Sequence, residues 1–416
     1  MQNGHSLSRK YDIILWGATG FTGQLVAEYL IKKYGISKDL KLAIAGRDQA
    51  KLERLKHKLQ IENLPYLVAD SHNKGSLDNL TRQTKVICST VGPYALYGTG
   101  LVQSCVENKT HYCDLTGEVQ WIRKMIDQFH QQALEAKVKI VHCCGFDSIP
   151  SDMGVFFLQN EAQKAHELYC DHIKLRLRVA KGAISGGTYV SLVNVLKEVE
   201  ENQDVARIIE NPYSLNPQGQ QIGLDEKDLL QVMYDQDFNQ WIGPFIMAMI
   251  NSKIVRRSHA LNGFQYGKDF RYDEAVLTGS GLAGRIFGQT LGTITKLAMN
   301  RPNSIPSKMI GKILPKPGQG PSKSERESGF FKFIILGKLK NGEIIKAHIK
   351  GDGDPGYGST SKMLGESAVC LVTDHKILPK TYGVITPSIA MGQSLLTRLQ
   401  RNAGLSFTLV DTQPLL

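Results

Sequence analysis

The chain has 416 residues, of which 42% are hydrophobic and 21% are charged. This composition is typical of globular proteins and excludes a fibrous or disordered chain, and the length favours roughly two or three domains. Lysine and arginine outnumber aspartate and glutamate by 50 to 39, and the net charge of +11 favours an acidic partner. The seven cysteines show no paired CxxC spacing, and the first residues lack the apolar stretch of a signal peptide. We therefore expect reduced thiols, no metal site and a cytoplasmic protein.

The first elements in chain order are a strand, a glycine-rich turn and a helix, in the sequence YDIILWGATGFTGQLVAEYLIKKYG from residue 11. A turn of this kind lets a pyrophosphate approach the backbone at the positive end of a helix, and the alternative is a tight turn with only a structural role. Thr19 stands where the common dinucleotide fingerprint has its second glycine. The predicted cofactor-binding residues of this turn are Gly17, Thr19, Gly20, Phe21, Thr22 and Gly23.

The second strand, LKLAIAGRD, ends at the position that selects between the two nicotinamide cofactors. Arg47 offers a guanidinium to the 2′-phosphate of NADP, so the sequence favours NADP, with NAD as the second choice. Two alternatives stay open. Asp48 could turn inward and restore a preference for NAD, or Arg47 could be a solvated residue at the edge of the sheet.

The third and fourth strands, LPYLVAD and KVICSTVGPY, bring further residues to the same edge of a parallel sheet. We expect Asp70 to contact the adenine, and Ser89, Val91 and Gly92 to lie beside the nicotinamide. Tyr94 is the first candidate for the catalytic proton donor, and its alternative role is a wall against the nicotinamide.

A fifth strand, VKIVHCCGFDS, closes the predicted nucleotide-binding half. Asp147 at its end is the second catalytic candidate, and its alternative role is to cap the following helix. The adjacent Cys143 and Cys144 are predicted to be buried thiols, because adjacent cysteines form strained disulfides.

Beyond about residue 170 the pattern changes to alternating strands, in HIKLRLRVA, FFKFIILGKLK and GEIIKAHIKG. The sequence therefore predicts an α/β protein: a Rossmann dinucleotide-binding domain at 1–150 and an α+β domain on a mainly antiparallel sheet at 151–355. Residues 356–416 are expected to form C-terminal helices that return to the domain junction.

Several motifs together resemble the saccharopine dehydrogenase-like oxidoreductases, a group that includes the trans-acting enoyl reductases. They are GATGFTG, AGRD, VGPYALYGTGLVQSCVENKTHYCDLTGE, CCGFDSIPSDMG, IVRRSHAL and GDPGYGSTSKMLGESA, and they cover nearly the whole chain. The resemblance implies hydride transfer between NADP and an apolar, acyl-type substrate. It also makes Tyr357 and Thr360 candidates for the cleft.

Two alternative functions remain open at this stage. One is a saccharopine-type imine reaction, whose carboxylate-bearing substrate would need arginines; the candidates are Arg176, Arg178, Arg256 and Arg257. The other is an NADP-binding sensor without turnover.

Residues 281–350 point to a partner in addition to a small-molecule substrate. The segment 281–298 repeats apolar residues at helical spacing, with Ala283, Phe287, Leu291, Ile294 and Ala298 on one predicted face. Residues 301–350 then hold eleven Lys/Arg and three Asp/Glu, so +8 of the net charge lies there. This pattern fits an anionic membrane surface or an acyl carrier protein. The alternative is a core or homodimer helix followed by a solvated lysine-rich hairpin. The lack of an aromatic stacking pattern argues against nucleic acid.

Overall fold

The computed structural model describes residues 9–37, 40–182, 186–300 and 320–410. Within these ranges, seven strands form a first sheet in which every pair is parallel. The strands are β1 (Tyr11–Trp16), β2 (Leu42–Gly46), β3 (Tyr66–Val68), β4 (Thr84–Ser89), β5 (His111–Asp114), β6 (Lys139–Val141) and β13 (Gly383–Ile385). Their spatial order is β13-β6-β5-β4-β1-β2-β3.

The order of the first sheet reverses between β1 and β4, which are neighbours in space but not in sequence. In open parallel sheets such a reversal leaves a crevice at the carboxyl ends of the strands, where ligands bind. The buried, nearly continuous apolar runs of β1 and β2 are typical of strands covered on both faces. The predicted Rossmann architecture is confirmed.

The helices occupy both faces of the first sheet and one face of the second. They are α1 (Phe21–Tyr34), α2 (Gln49–Lys58), α3 (Lys74–Arg82), α4 (Tyr94–Tyr97), α5 (Thr99–Glu107), α6 (Val119–Glu135), α7 (Ile149–His166), α8 (Gly186–Glu201), α9 (Gln203–Glu210), α10 (Ala248–Leu261), α11 (Gly281–Asn300), α12 (Lys323–Glu327), α13 (Thr360–Thr373) and α14 (Pro387–Asn402). A short π-helical turn, Pro355–Ser359, precedes α13.

The second sheet is mainly antiparallel, as predicted. Its described strands are β7 (Cys170–Lys181), β8 (Met233–Asp235), β9 (Gln240–Gly243), β10 (Arg271–Gly279), β11 (Phe330–Leu339), β12 (Ile344–Gly351) and β14 (Leu405–Leu409). The spatial order is β14-β12-β11-β7-β10-β9-β8, and among these strands only the central pair β7 and β10 is parallel.

Two strands of the first sheet were not anticipated from the sequence. Strand β5 lies between β4 and β6, so the strand VKIVHCCGFDS is the sixth of the sheet and not the fifth. Strand β13 comes from the C-terminal segment, which was expected to contribute helices, and it pairs with β6 at the edge of the sheet. The C-terminal segment thus completes the first sheet and, through β14, the second.

One hydrophobic core runs from the first sheet to the second. Leu15 on β1, Val26 on α1, Met363 on α13, Leu158 on α7 and Phe333 on β11 all belong to the same buried cluster. Helix α13 packs against α1 and β4, and α14 packs against α13 and α7. Because packed cores resist small displacements, this continuity holds the second sheet at a fixed position relative to the strand ends of the first.

Candidate active site

The three glycines of the turn after β1 have different structural roles. Gly17 has a φ of 84°, and a Cβ there would lie 2.5 Å from Val91 Cγ2. A Cβ at Gly23 would lie 2.2 Å from the Gly17 carbonyl oxygen. At Gly20 the nearest atom would be that same oxygen, at an ordinary 3.4 Å. Folding therefore requires glycine at 17 and 23, whereas Gly20 leaves open space beside the backbone.

The open space at Gly20 lies at the N-terminus of α1. Gly20 is the N-cap residue, and no side chain caps the helix or places a negative charge in its first turn. The amide groups and the positive end of the helix dipole can therefore meet a phosphate. Thr19, Phe21 and Thr22 are each half-buried around this position. The turn fits the pyrophosphate of a dinucleotide.

The end of β2 presents a cation beside the glycine turn. The Thr19 hydroxyl lies 3.7 Å from the point where a Cβ on Gly46 would stand, so the two strand ends are adjacent. Arg47 follows Gly46 and is exposed. Asp48 is the N-cap of α2, and its Oδ1 accepts the Lys51 N–H at 3.0 Å. The Asp48 carboxylate is thus occupied away from the site.

Asp70 and Ser89 follow β3 and β4 at the same edge. Asp70 is exposed, and its Oδ1 accepts the His72 N–H at 2.8 Å in a local turn. Ser89 is buried, while Val91 is half-buried and Gly92 is exposed at the mouth of the crevice. The residues predicted to bind the cofactor therefore lie along one edge, with Ser89 below its surface.

Tyr94 points into the core of the first sheet. Its side chain is 3% exposed, its hydroxyl donates to the Ser89 carbonyl oxygen at 3.1 Å, and its ring packs against Trp121 at 5.5 Å. Burial raises the pKa of Tyr94 well above its usual value. The Tyr94 hydroxyl is thus committed to the strand end and not directed into the crevice.

Glu118 fixes the loop that contains Tyr94, and the sequence analysis did not identify this role. Its Oε1 accepts the Tyr94 N–H at 2.8 Å and the Ser191 hydroxyl at 2.8 Å, and its Oε2 accepts the Ala95 N–H at 2.9 Å. The carboxyl group is fully buried, and burial raises its pKa. Glu118 therefore caps α4 and holds α8 at the strand-end edge.

A buried polar pair beneath the crevice also escaped the sequence analysis. His142 Nδ1 lies 2.8 Å from Asp114 Oδ2, which also accepts the Tyr112 hydroxyl at 2.9 Å. Both members of the pair are buried, and within the described residues His142 Nε2 has no hydrogen-bond partner. Asp114 and Tyr112 belong to the sequence HYCD, which forms β5 and was not predicted as a strand.

Asp147 is the titratable group that the structure leaves available at the crevice. Its carboxylate is partly buried next to Gly117: a Cβ at Gly117 would lie 3.6 Å from Asp147 Oδ2 and 3.9 Å from Ile250 Cγ2. It has no hydrogen-bond partner among the described residues, and burial raises its pKa to about 7. Ser148, not Asp147, is the N-cap residue of α7. The capping role considered for Asp147 is therefore not observed.

The residues around Asp147 connect it to the rest of the site. The Phe146 N–H donates to Thr360 Oγ1 at 3.0 Å, and Tyr357 packs edge-on against Phe21 at 4.9 Å. The cleft candidates Tyr357 and Thr360 thus touch residues of the site. Cys143 and Cys144 are buried and free, as are the other cysteines. No cluster of His, Cys, Asp and Glu suited to a metal occurs in the described ranges.

Three of the four arginines considered for an acidic substrate are occupied by the protein itself. Arg176 bonds to Asp235, Arg256 bonds to Asp225, and Arg257 donates to the carbonyl oxygen of Val384 at 2.5 Å. Arg178, the fourth, lies on the second sheet and is exposed. These arginines do not converge on the crevice.

Fold and site together define a dinucleotide-binding protein of the Rossmann type. The profile of the saccharopine dehydrogenase NADP binding domain matches residues 13–141. A Mycobacterium tuberculosis protein with the provisional name trans-acting enoyl reductase is 36% identical over 403 residues, which cover 94% of this chain and 96% of that protein. The trans-acting enoyl reductase of Mycobacterium ulcerans is 33% identical over 408 residues, covering 95% and 96%.

The chain belongs to the saccharopine dehydrogenase-like oxidoreductases, in the group that contains the trans-acting enoyl reductases. It is an NADP-dependent oxidoreductase with a small-molecule substrate. The fold is also that of apo saccharopine dehydrogenase (L-Glu forming) from Saccharomyces cerevisiae, with a TM-score of 0.50 and 11% identity over 96% of this chain and 100% of that one.

Proposed function

We propose that the enzyme reduces a carbon–carbon double bond conjugated to a thioester or ketone carbonyl in an apolar substrate. The observation that carries this proposal is the Asp147 carboxyl group, which stands at the crevice without a hydrogen-bond partner in the described residues and has a pKa near 7. A group with this pKa holds its proton in a large fraction of molecules at neutral pH. The relatives' name, trans-acting enoyl reductase, supports the same reaction.

In this reaction NADPH, when bound, supplies the hydride. Negative charge then develops on the substrate's carbonyl oxygen, and a positioned hydrogen-bond donor stabilises it. We assign that donor to the protonated Asp147 carboxyl. Its proton converts the enolate to the enol, which then loses the hydroxyl proton and takes up a proton at the α-carbon, so that the double bond has gained a hydride and a proton; solvent reprotonates Asp147. Tyr94 is a positioning residue in this proposal, because its hydroxyl holds the Ser89 carbonyl oxygen at the end of β4.

Arg47 is the proposed contact for the 2′-phosphate of NADP, and Gly17, Thr19, Gly20, Phe21, Thr22 and Gly23 are the proposed pyrophosphate site. Asp70 is assigned to the adenosine half, and Ser89, Val91 and Gly92 to the nicotinamide half. The exposure of Arg47 and the occupation of Asp48 by the α2 cap support this arrangement.

The hydrogen bonds of the arginines to protein oxygens favour an enoyl substrate over a saccharopine-type imine. A substrate with several carboxylates needs unpaired cations in the cleft, because a buried charge is costly without a partner. Arg176, Arg256 and Arg257 are already bonded to protein oxygens.

The proposed reaction is tested by mixing purified enzyme with NADPH and enoyl N-acetylcysteamine thioesters, with saccharopine plus NADP as the control. Thioester-dependent NADPH oxidation supports the proposal, and turnover of saccharopine alone would overturn it.

We further propose a cytoplasmic enzyme that contacts an anionic membrane surface through α11. The outward side of this helix exposes Leu282, Ile286, Phe287, Ile294 and Leu297, with Leu282 71% and Phe287 55% exposed. The helix contains no acidic residue. Exposed apolar side chains on a helix with few charges fit the headgroup region of a bilayer. An acyl carrier protein and a second copy of this chain are the competing partners for the same stripe.

The packing of α11 differs from the predicted apolar face. Its buried side is a row of glycines at 284, 288 and 292: a Cβ at Gly284 would lie 2.3 Å from the Gly279 carbonyl oxygen, and one at Gly288 2.6 Å from Val232 Cγ2. The glycines therefore attach the helix to the second sheet and leave larger side chains outside. Residues 301–319, which include Arg301, Lys308, Lys312 and Lys316 of the predicted basic segment, lie outside the described residues. No described helix is long and apolar enough to cross a bilayer.

A further inference from the structure

The strand register assigns every side chain of the second sheet to one of two faces. Leu175 on β7 and Ile335 on β11 are register partners, and both belong to the buried core. Side chains alternate along a strand, so the next set of partners, Arg176, Ile334 and His348, points to the opposite, outer face. The outer face is therefore the one turned away from the core that joins the two sheets.

Helix α11 packs on the inner face. A Cβ at Gly243 of β9 would lie 3.2 Å from Leu291 Cδ2 of this helix. Gly243 is the register partner of Val276. Val276 in turn pairs with Leu177, which packs against the core. The apolar stripe of α11 and the lysines at 332, 346 and 350 thus lie on opposite sides of the sheet. Within the described parts of 281–350, the stripe and these lysines do not share one surface.

In one half of the outer face, basic side chains form ion pairs with carboxylates. Arg176 pairs with Asp235 at 2.7 Å and with Asp273 at 2.6 Å. Asp237 pairs with Lys174 at 2.5 Å and with Lys338 at 2.7 Å. Lys174, Arg176 and Lys338 thus each have a carboxylate as a neighbour.

The other half carries five basic residues without such neighbours; we call it the basic half, and it consists of Arg178, Lys332, Lys346, His348 and Lys350. Lys332 and Lys350 are direct register partners on β11 and β12, and like charges in that arrangement destabilise a sheet. None of the five has a carboxylate oxygen within 4.0 Å among the described residues. Burial and the nearby charges of Lys350, Arg178 and Lys332 lower the pKa of His348.

A groove with an apolar floor lies beside these cations. It has a volume of about 280 Å³, and its apolar lining residues are Phe238, Leu277, Ile334 and Val410. Its polar lining residues are Arg178, Gln240, Lys346, His348 and Asp237, whose carboxylate is already paired with Lys174 and Lys338. This volume is below the roughly 300–1,000 Å³ of typical small-molecule sites. It suits the insertion of one or two apolar side chains.

We propose that the basic half and its groove dock an acidic segment of a partner protein, whose apolar side chains enter the groove. The basic residues attract the carboxylates of the partner segment. The apolar lining of the groove binds its apolar side chains, which a partner recognised by charge alone would not need. A flat bilayer does not fill a concave groove, and a nucleic acid would need more aromatic rings than Phe238 supplies. The proposal is independent of the reaction assigned to the crevice, because the outer face is turned away from it.

The test uses the full-length protein and a fluorescein-labelled helical peptide of Glu and Leu, with a Gln and Leu peptide of the same length as the neutral probe. The double variant K332E/K350E should bind the acidic peptide about tenfold more weakly than the parent in an anisotropy titration. The matched control is K338E on the same strand and face, where the lysine already has Asp237 as its partner. It should change binding by less than about threefold.

Three results would overturn the docking proposal. They are equal losses of peptide binding in K332E/K350E and K338E, a loss of binding to vesicles of phosphatidylserine and phosphatidylcholine in K332E/K350E as large as its loss of peptide binding, and a clear gain in peptide binding when residues 411–416 are removed. The last result would identify the chain's own C-terminus as the occupant. Turnover of a free enoyl thioester should be unchanged in K332E/K350E, so failure of the docking proposal and failure of the proposed reaction can be told apart.

Discussion

The Asp48 carboxylate accepts the Lys51 N–H at 3.0 Å, and this bond leaves Arg47 as the charged side chain at the tip of β2 that is not engaged in capping α2. The cap takes up one oxygen of the Asp48 carboxylate and turns that oxygen toward the first turn of α2. The proposed contact of Arg47 with the 2′-phosphate of NADP rests on this difference between the two adjacent residues.

Replacing Arg47 with Ala should weaken NADPH binding by about ten- to a hundredfold and leave NADH binding nearly unchanged, because one charge-assisted contact to the 2′-phosphate is lost. Isothermal titration with both cofactors measures the effect. Arg54→Ala removes the same charge from an exposed position within α2 and serves as the control. A parent protein that binds both cofactors equally would contradict the role of Arg47.

Gly20→Val should abolish NADPH binding and leave the melting temperature close to that of the parent. The branched side chain would occupy the space beside the backbone where the pyrophosphate approaches, and folding does not need that space. Gly23→Ala is the matched comparison. Its methyl group would meet the Gly17 carbonyl oxygen, so it should destabilise the fold by about 1–3 kcal/mol. Joint loss of folding and binding in Gly20→Val would show that this glycine is structural.

The sequence was sufficient for the elements whose pattern is local. Strands β1 and β2 were predicted because each is a buried apolar run that ends at a turn. Strand β5 was missed because the four residues HYCD contain no apolar run, and β13 because three residues carry no periodicity of their own. Both strands form by pairing with distant segments. The parallel pairing of β7 with β10 is equally non-local, so no pattern in either strand specifies it.

The same limit applies to the site. The edge of the sheet where the cofactor residues meet could be predicted, because parallel strands bring their carboxyl ends together. The direction of the Tyr94 hydroxyl could not, since it depends on the Glu118 carboxylate that anchors its loop. In α11, the periodicity of Phe287 and Ile294 marked an exposed side, because the glycines at 284, 288 and 292 form most of the side that faces the sheet.

Phe287→Ser should reduce binding to vesicles of phosphatidylserine and phosphatidylcholine by several-fold, because an aromatic ring leaves the membrane-facing side of α11. Flotation of the full-length protein with the vesicles measures this. Ile377→Ser removes another exposed apolar side chain, which lies outside α11, and should have no effect. A parent protein that stays free of vesicles at low salt would contradict the membrane contact.

Asp147→Asn should raise thermal stability at pH 8 relative to the parent. In the folded protein burial holds the pKa of Asp147 near 7, above the value of about 4 in an unfolded chain. Ionisation is therefore unfavourable in the folded state, and the parent loses stability as pH rises from about 4 to about 7. Scanning calorimetry of both proteins at pH 4 and pH 8 should show the difference at the higher pH. A difference of the same size at both pH values would contradict the raised pKa.

The most direct test of the central claim is the pH dependence of kcat/KM for an enoyl thioester with saturating NADPH. If the protonated Asp147 carboxyl is the donor, kcat/KM should be level at acidic pH and fall tenfold for each pH unit above about 7. Asp147→Asn should lower kcat/KM by about 10²- to 10⁴-fold, remove this decline and keep the parent's affinity for NADPH. An Asp147→Asn enzyme with the activity and pH profile of the parent would contradict the account.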